Sequence, residues 1–305
     1  MFDERAFITR VESASTEEFA NILTHPSVEE EKALRAHLGD QRYQRMHGMA
    51  LKRNISRSLR RAKKGNVVVV HGSMGAELTV GSSEGGSGEL TWVNAFRIMR
   101  GWLDRLRLSD DGRSEFNPRY SVSASGIMKR SYSELLLALA ENWNVQAFWF
   151  DWRKDLELAA NELNVKIDAQ FGSEPVHIVA HSMGGLVART FIQKYAERWK
   201  AMREKDPAFR SGGRLVMLGT PNHGSFVIPQ VITGLEGMVK KLSLLDLRHK
   251  ADELLNVFNS FVGSYQMMPS YLVMPEVKFL YNASTYSRFK VTVSQTHLNN
   301  RHYRG

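Results

Sequence analysis

The sequence predicts an α/β fold built on a doubly wound, mostly parallel sheet. Asn66–Val70 is continuous valine without alternation after its first residue, the mark of a central strand covered on both faces, and Val176–Ala180 is an apolar run rich in β-branched residues. Helix-like stretches of ordinary length separate the strand-like runs, as crossover connections require. The runs also end in turns rich in glycine and small polar residues, at the strand ends where open α/β sheets bind ligands. A chain of 305 residues with 43% hydrophobic and 24% charged residues suits one large α/β domain, or one domain with an appendage.

Residues 1–64 read as a helical, basic extension, and 65–305 as the α/β domain, with a cap at about 225–275. Ser27 with Glu30 forms a capping-box pattern, and Gly39 ends that helix. His37 and His47 lack partners at metal-ligand spacing and read as surface residues. The net charge is +9, and its bases are spread along the chain except for a cluster at Lys52, Arg53, Arg57, Arg60, Arg61, Lys63 and Lys64. No aromatics interleave with this cluster, so no nucleic acid is expected. Lys52–Lys64 is read as a solvated helix face or linker, with contact to an anionic membrane surface as the alternative. The acidic start Met1-Phe2-Asp3-Glu4-Arg5 is unlike a secretory leader, and no apolar run reaches membrane-span length. The expected location is therefore cytoplasmic, with membrane-peripheral attachment as a variant. The chain has no cysteine and so no thiolate metal site.

Asn66–Val70 leads into His71-Gly72-Ser73-Met74-Gly75-Ala76-Glu77-Leu78. A glycine turn after the first central strand can point backbone N–H groups at developing negative charge. His71 precedes the candidate serine in the chain, which argues against a role as base. Gly81–Gly88 reads as a surface loop, and Trp92–Leu106 and Tyr132–Ala140 as helices. Gln146–Phe150 is a second buried strand, after which Asp151 and Arg153 are expected to brace each other. Arg214–Leu218 is a further strand, ending in Gly219-Thr220-Pro221-Asn222-His223-Gly224-Ser225. Here Thr220 and His223 are expected to shape a pocket wall. From Phe226 to Met274 dense apolar residues suit either core packing or a helical cap whose inner face takes an acyl chain.

Ala180-His181-Ser182-Met183-Gly184 fits the nucleophile elbow G-x-S-x-G, with alanine at the first position. Strand and helix nearly collide at such a turn, so the residues two before and two after the serine must be small. A plain packing turn of small residues is the structural alternative. These pieces in this order resemble the lecithin–cholesterol acyltransferase-like branch of the α/β-hydrolases and the bacterial lipases near it. His71–Leu78 looks like its P-G-x-x-G-S-x-L turn, with histidine for proline. Phe150–Arg153 is similar to its Y-D-W-R block, Ala180–Arg189 to its nucleophile block, and Gly219–Ser225 to its G-T-P-x-x-G-S turn. The resemblance covers residues 66 to about 270. It implies Ser182 as nucleophile, the backbone N–H groups of Met74 and Met183 as oxyanion hole, and Gly72 and Gly184 as site-shaping turn residues. It also implies an acyl ester or lipid substrate, with no metal and no organic cofactor.

The sequence departs from the family pattern near its end. A serine nucleophile needs a histidine base oriented by a carboxylate, in the order Ser, acid, His in this fold. Downstream histidines are His223, His249, His297 and His302, whereas Val277–Gly305 contains no acid. Asp246 or Asp252 with His297 is the best triad within the chain, Asp246 being preferred. Val277–Tyr281 and Phe289–Val293 are candidate late strands. Too few residues remain for the family's acid-bearing turn and histidine loop, so the C-terminal part is expected to be incomplete. The chain is therefore expected to be a serine esterase, lipase or O-acyltransferase. The alternative is a catalytically incomplete α/β-hydrolase-like module that binds lipid or protein.

Overall fold

In the computed structural model the described residues are 2–58, 62–85, 88–92, 94–204 and 212–299. They form two compact units: Met1–Ala76, Ser125–Trp149 and Ala160–Thr220 in one, Glu77–Ala124, Phe150–Ala159 and Pro221–Gly305 in the other. Four helices come first: α1 (Glu4–Ser13), α2 (Thr16–Thr24), α3 (Val28–Leu38) and α4 (Asp40–Ser58). Strands β1 (Asn66–Val70), β2 (Ala76–Ser82) and β3 (Glu89–Leu90) follow, then α5 (Ala95–Met99), a 3₁₀ turn at Trp102–Leu106, and β4 (Tyr120–Ile127). Next are α6 (Lys129–Ala140), β5 (Asn144–Phe148), α7 (Leu156–Phe171) and β6 (Val176–His181). Helices α8 (Met183–Lys194) and α9 (Ala196–Glu204) lead to β7 (Leu215–Leu218). The rest comprises α10 (Val227–Ile232), α11 (Gly237–Leu245), α12 (Ala251–Phe258), α13 (Val262–Tyr265), 3₁₀ segments at Pro275–Tyr281 and Ala283–Phe289, and α14 (Gln295–Asn299). Among the described residues no helix is long and apolar enough to cross a membrane.

The first unit is organised on a parallel sheet in the order β5-β1-β6-β7. Val67 to Val70 are all buried, as a central strand covered on both faces requires. Tyr132, Leu136 and Ala140 of α6 pack on the face carrying Val67 and Val69, while α8 begins against Val70. Helices α1 to α4 build a second core with Leu137 of α6 from Phe7, Val11, Phe19, Leu23, Leu34 and Met46. Each such side chain contributes roughly 1.5–3 kcal/mol when fully buried. The capping box of Ser27 and Glu30 forms, and Gly39 ends α3 at φ +88°. His37, read from sequence as a surface residue, is instead half-buried with Nε2 2.6 Å from Glu12 Oε1. Glu12 is buried because its other oxygen takes the Lys129 N–H at 3.0 Å, and Lys129 Nζ donates to the Glu12 carbonyl at 2.6 Å. Charged atoms thus tie α1 and α3 to the start of α6. The partner that keeps His37 out of water lies 25 residues away, beyond any local pattern.

The second unit contains most of an antiparallel sheet in the order β3-β2-β4, which the sequence reading lacked. In β4 serine alternates with Tyr120, Val122 and Ala124, a period-two signal that a search for continuous apolar runs passes over. Leu254, Phe258, Phe261 and Val262 are buried together with Trp152. Arg153 is fully buried, donating to Asp151 Oδ2 at 2.6 Å, Glu115 Oε2 at 2.9 Å and the Leu106 carbonyl at 2.6 Å. Asp151 and Arg153 therefore brace each other, and Glu115 joins them.

The expected late strands do not form: Val277–Tyr281 lies in a 3₁₀ segment, and in Phe289–Val293 the first residue closes a second 3₁₀ segment while 290–293 is turn and irregular backbone. Pro275 fixes φ at the first helical position, and Val277 and Leu280, three apart, become the buried pair. Among the described residues the parallel sheet ends at β7, where Val216, Met217 and Leu218 are 40–46% exposed on alternating sides.

Candidate active site

Strand β6 delivers its last residue, His181, to a one-residue turn made by Ser182, and α8 starts at Met183. Ser182 has φ +52° and ψ −124°, a conformation that costs a non-glycine residue roughly 1–3 kcal/mol. Its N–H donates to the Leu218 carbonyl at 2.8 Å, so the ladder to β7 runs into the turn itself. The strained geometry persists because the surroundings over-determine it. A Cβ on Gly184 would strike the His71 carbonyl and lie 2.8 Å from the Val70 carbonyl. One on Gly185 would collide with Thr220 Oγ1. Ala180, at the first small position, is fully buried. Ser182 remains half-buried, and its hydroxyl makes no hydrogen bond to a described residue of its unit.

The second part of the site is the turn after β1. Gly75 N–H donates to the Gly72 carbonyl at 3.1 Å, closing a β-turn with Met74 at φ +59°. Positive φ at that turn position is the type II requirement, which glycine or asparagine usually meets. His71, fully buried, has Nδ1 2.6 Å from the Gly72 carbonyl, so it backs the turn. A Cβ on Gly72 would sit 2.7 Å from Ser182 Cβ, which places this backbone directly against the serine. Sequence reasoning missed Tyr132. Its hydroxyl is 2.8 Å from Gly72 N and 2.8 Å from His181 Nδ1. Burial pushes its phenol pKa up, while the Gly72 N–H pulls the other way. The available signal was a tyrosine on the apolar face of a helix, since buried hydroxyls need partners.

The remaining candidates lie in the second unit, apart from Thr220, whose buried Oγ1 has no hydrogen-bond partner among the described residues. His223 is exposed, and its carbonyl takes the Ser270 N–H at 2.9 Å. Gly224, at φ +88°, lies against the Met268 carbonyl. The structure does not bring Asp246 to His297. Asp246 takes the N–H groups of Arg248 and His249 and faces His249 Nδ1 at 3.1 Å. His297, 2% exposed, has Nε2 3.1 Å from the Asp110 carbonyl, and its Nδ1 has no hydrogen-bond partner among the described residues. A carboxylate so close to the start of α12 is captured by its own turn, as Asx motifs are. His302, Arg60 and Arg61 lie outside the described residues. Among the described residues no three His, Asp or Glu side chains converge as a metal site would require.

A parallel sheet whose strand β6 turns sharply through a positive-φ serine into a helix defines an α/β-hydrolase. A family model, Lecithin:cholesterol acyltransferase, matches residues 132–302, more than half of the chain, and the chain belongs to that family. The chain is also 41% identical over 56 residues to an uncharacterized protein of Saccharomyces cerevisiae, YJR098C, covering 17% of this chain and 8% of that one. It is similar to a chain in the crystal structure of the Tle4-Tli4 complex, with a TM-score of 0.36 and 16% identity over 68% of this chain and 55% of that chain. The chain thus spans under a tenth of the yeast protein and about half of the solved one.

Proposed function

We propose that the protein is a serine-dependent esterase, lipase or O-acyltransferase with Ser182 as nucleophile. The observation that carries this reading is the backbone of Ser182 at φ +52°, half-buried on a strand-to-helix turn, with the Gly72–Gly75 turn packed on its Cβ. In the proposed reaction Ser182 Oγ attacks the ester carbonyl carbon and loses its proton to a general base. The carbonyl pair moves to oxygen, where the N–H groups of Met74 and Met183 receive it. Collapse expels the alcohol, which recovers the proton. Water or a second alcohol then releases the acyl group from the serine by the same steps in reverse. Loss of one oxyanion donor typically costs about 10²–10³ in rate.

Fluorophosphonate labelling of the full chain and of Ser182→Ala tests this reading. Labelling that depends on Ser182 supports it, and equal labelling of both, or of neither, sinks it. The second reading, a non-catalytic lipid- or protein-binding module, draws on Asp246 pairing with His249 rather than His297.

For the substrate, exposed Phe226, Val227, Leu235, Leu244 and Leu247 of the second unit favour a lipid. The anionic-surface role of Lys52–Lys64 is narrower than the bare sequence implied, because Lys63 Nζ is engaged by the Ala140 carbonyl at 2.7 Å. Binding to vesicles containing phosphatidylserine that fades as salt rises would support that role. Salt-insensitive binding would move the contact to the apolar residues.

A further inference from the structure

We propose that Tyr132 is a positioning residue whose hydroxyl clamps the oxyanion turn to the nucleophile elbow. The proposal rests on the reading of Ser182 as nucleophile. Tyr132 lies in the first turn of α6, is 7% exposed, and sets its hydroxyl between two backbone segments distant in sequence. Its oxygen accepts the Gly72 N–H at 2.8 Å. Among the described residues its own proton goes to His181 Nδ1 at 2.8 Å, which leaves the His181 proton on Nε2. Gly72 is consequently held at both its N–H and its carbonyl. Its N–H goes to Tyr132, and its carbonyl takes His71 Nδ1 at 2.6 Å and Gly75 N–H at 3.1 Å.

This arrangement fixes how the amides of the turn are oriented. Gly72 N–H points at the phenol. Met74, two residues on and held at φ +59°, inherits the orientation that the clamp imposes. His181 stands next to Ser182, so the same hydroxyl also restrains the serine side of the gap. A group that both donates and accepts at one point is needed, which a hydroxyl provides and a phenyl ring does not. Tyr132 also lies close to Gly75, where a Cβ would come within 2.9 Å of its oxygen, so the turn closes around the phenol. The network therefore lies between the two halves of the proposed site rather than between a helix and its core.

The test uses the full chain as wild type, Tyr132→Phe, His181→Gln, His181→Leu and Ser182→Ala. A fluorophosphonate probe is attacked by the serine oxygen at phosphorus and expels fluoride, so kinact and KI can be separated. Exchange of the Gly72 amide, followed by NMR on glycine-labelled protein, reports the clamp directly. The expected result for Tyr132→Phe is a fall in kinact of about tenfold or more with KI held within about twofold. Gly72 exchange should quicken, with the melting temperature within about 3 °C of wild type. His181→Gln keeps an acceptor and should retain most of the rate. His181→Leu should behave like Tyr132→Phe, and the two together should be no worse than either, as one shared interaction predicts.

Unchanged kinact and unchanged Gly72 exchange in Tyr132→Phe overturn the clamp while leaving Ser182 standing. Parallel losses of kinact, affinity and melting temperature overturn it in favour of a structural role. Absence of Ser182-dependent labelling in wild type overturns the nucleophile reading, and the positioning role with it.

Discussion

The elbow of the first unit and the Arg153 cluster of the second each fix polar atoms in place, by opposite means. At the elbow, backbone meets backbone: Gly184 lies on the carbonyls of Val70 and His71, Gly185 on Thr220, and Gly72 on Ser182. No charge is involved, and the tolerance is less than one methyl group. At Arg153 a charge removed from water is surrounded by Asp151, Glu115 and the Leu106 carbonyl. There the tolerance concerns charge balance rather than volume. Close-fitting backbone suits a site that must hold amides at fixed angles, because steric contact has a steeper distance dependence than attraction between ions. A buried ion cluster suits a bend that must remain closed while the chemistry occurs elsewhere.

The largest effect should come from breaking the cluster on one side. Arg153→Ala leaves two largely buried carboxylates with Lys154, which contacts Glu115 Oε1 at 2.9 Å, as the remaining cation against them among the described residues. A loss of about 3–5 kcal/mol is expected, read from urea unfolding of the purified variant. Replacing Arg153 and Lys154 by Met together with Asp151→Asn and Glu115→Gln should lose much less, since no charge is then stranded. If the quadruple variant is as unstable as Arg153→Ala, shape rather than charge holds this bend, and the contrast with the elbow fails.

The elbow should fail by volume. Gly184→Ala adds one carbon against two backbone carbonyls that cannot step aside, and roughly 3 kcal/mol or more should be lost with all labelling of Ser182. Gly39→Ala is the control. That glycine has a positive φ, +88°, with open space around it, whereas Gly184 is helical, so at Gly39 only the backbone term of about 1 kcal/mol is at stake. A loss at Gly184 no larger than that at Gly39 would mean that close approach does not make the elbow.

This contrast also explains what could be read from the chain alone. The elbow was legible because every contact that shapes it demands a small residue within a few positions, leaving the spelling Ala180-His181-Ser182-Met183-Gly184. The valines of β1 were legible for the same local reason. Tyr132 was not, since its partners Gly72 and His181 lie 60 and 49 residues away and any polar neighbour would satisfy a phenol. The pairing of Asp246 was missed in the opposite direction. A long-range triad partner was sought, whereas the carboxylate is taken by the backbone of its own turn. The segment after Pro275 has strand-like composition, but a proline start and apolar residues three apart make it 3₁₀.

A pH effect of intermediate size should arise in the second unit. Burial alone would raise the Asp155 pKa, but the Gln266 amide, the Glu157 N–H and Arg113 outweigh it and hold the carboxyl below its usual value. The charged form is therefore favoured by folding. Its contribution is complete above the unfolded carboxylate pKa of about 3.9 and is lost as pH falls through the lowered folded value. Unfolding midpoints measured from pH 6 to about 2.5 should fall more steeply for wild type than for Asp155→Asn. Parallel curves would show that the Gln266 contact serves either amide or acid equally.

The smallest effect calibrates the rest. Arg45 on α4 reaches Glu134 on α6 at 2.9 Å, an arginine–carboxylate contact like that of Arg153 with Glu115, but with side chains 51% and 34% exposed. Water already solvates both ions, and holding two long side chains together costs rotamer freedom, so Arg45→Ala should lose only about 0.2–1 kcal/mol. The loss should shrink further at high salt, because exposed charges are screened over about 10 Å at 0.1 M. Arg153→Ala measured in the same buffers should show no comparable salt dependence, since its partners are dry. If instead Arg45→Ala costs as much as Arg153→Ala, α4 is a structural member of the sheet unit rather than a covering layer. The helices before β1 would then belong with the Arg153 cluster as parts whose charges fix the fold.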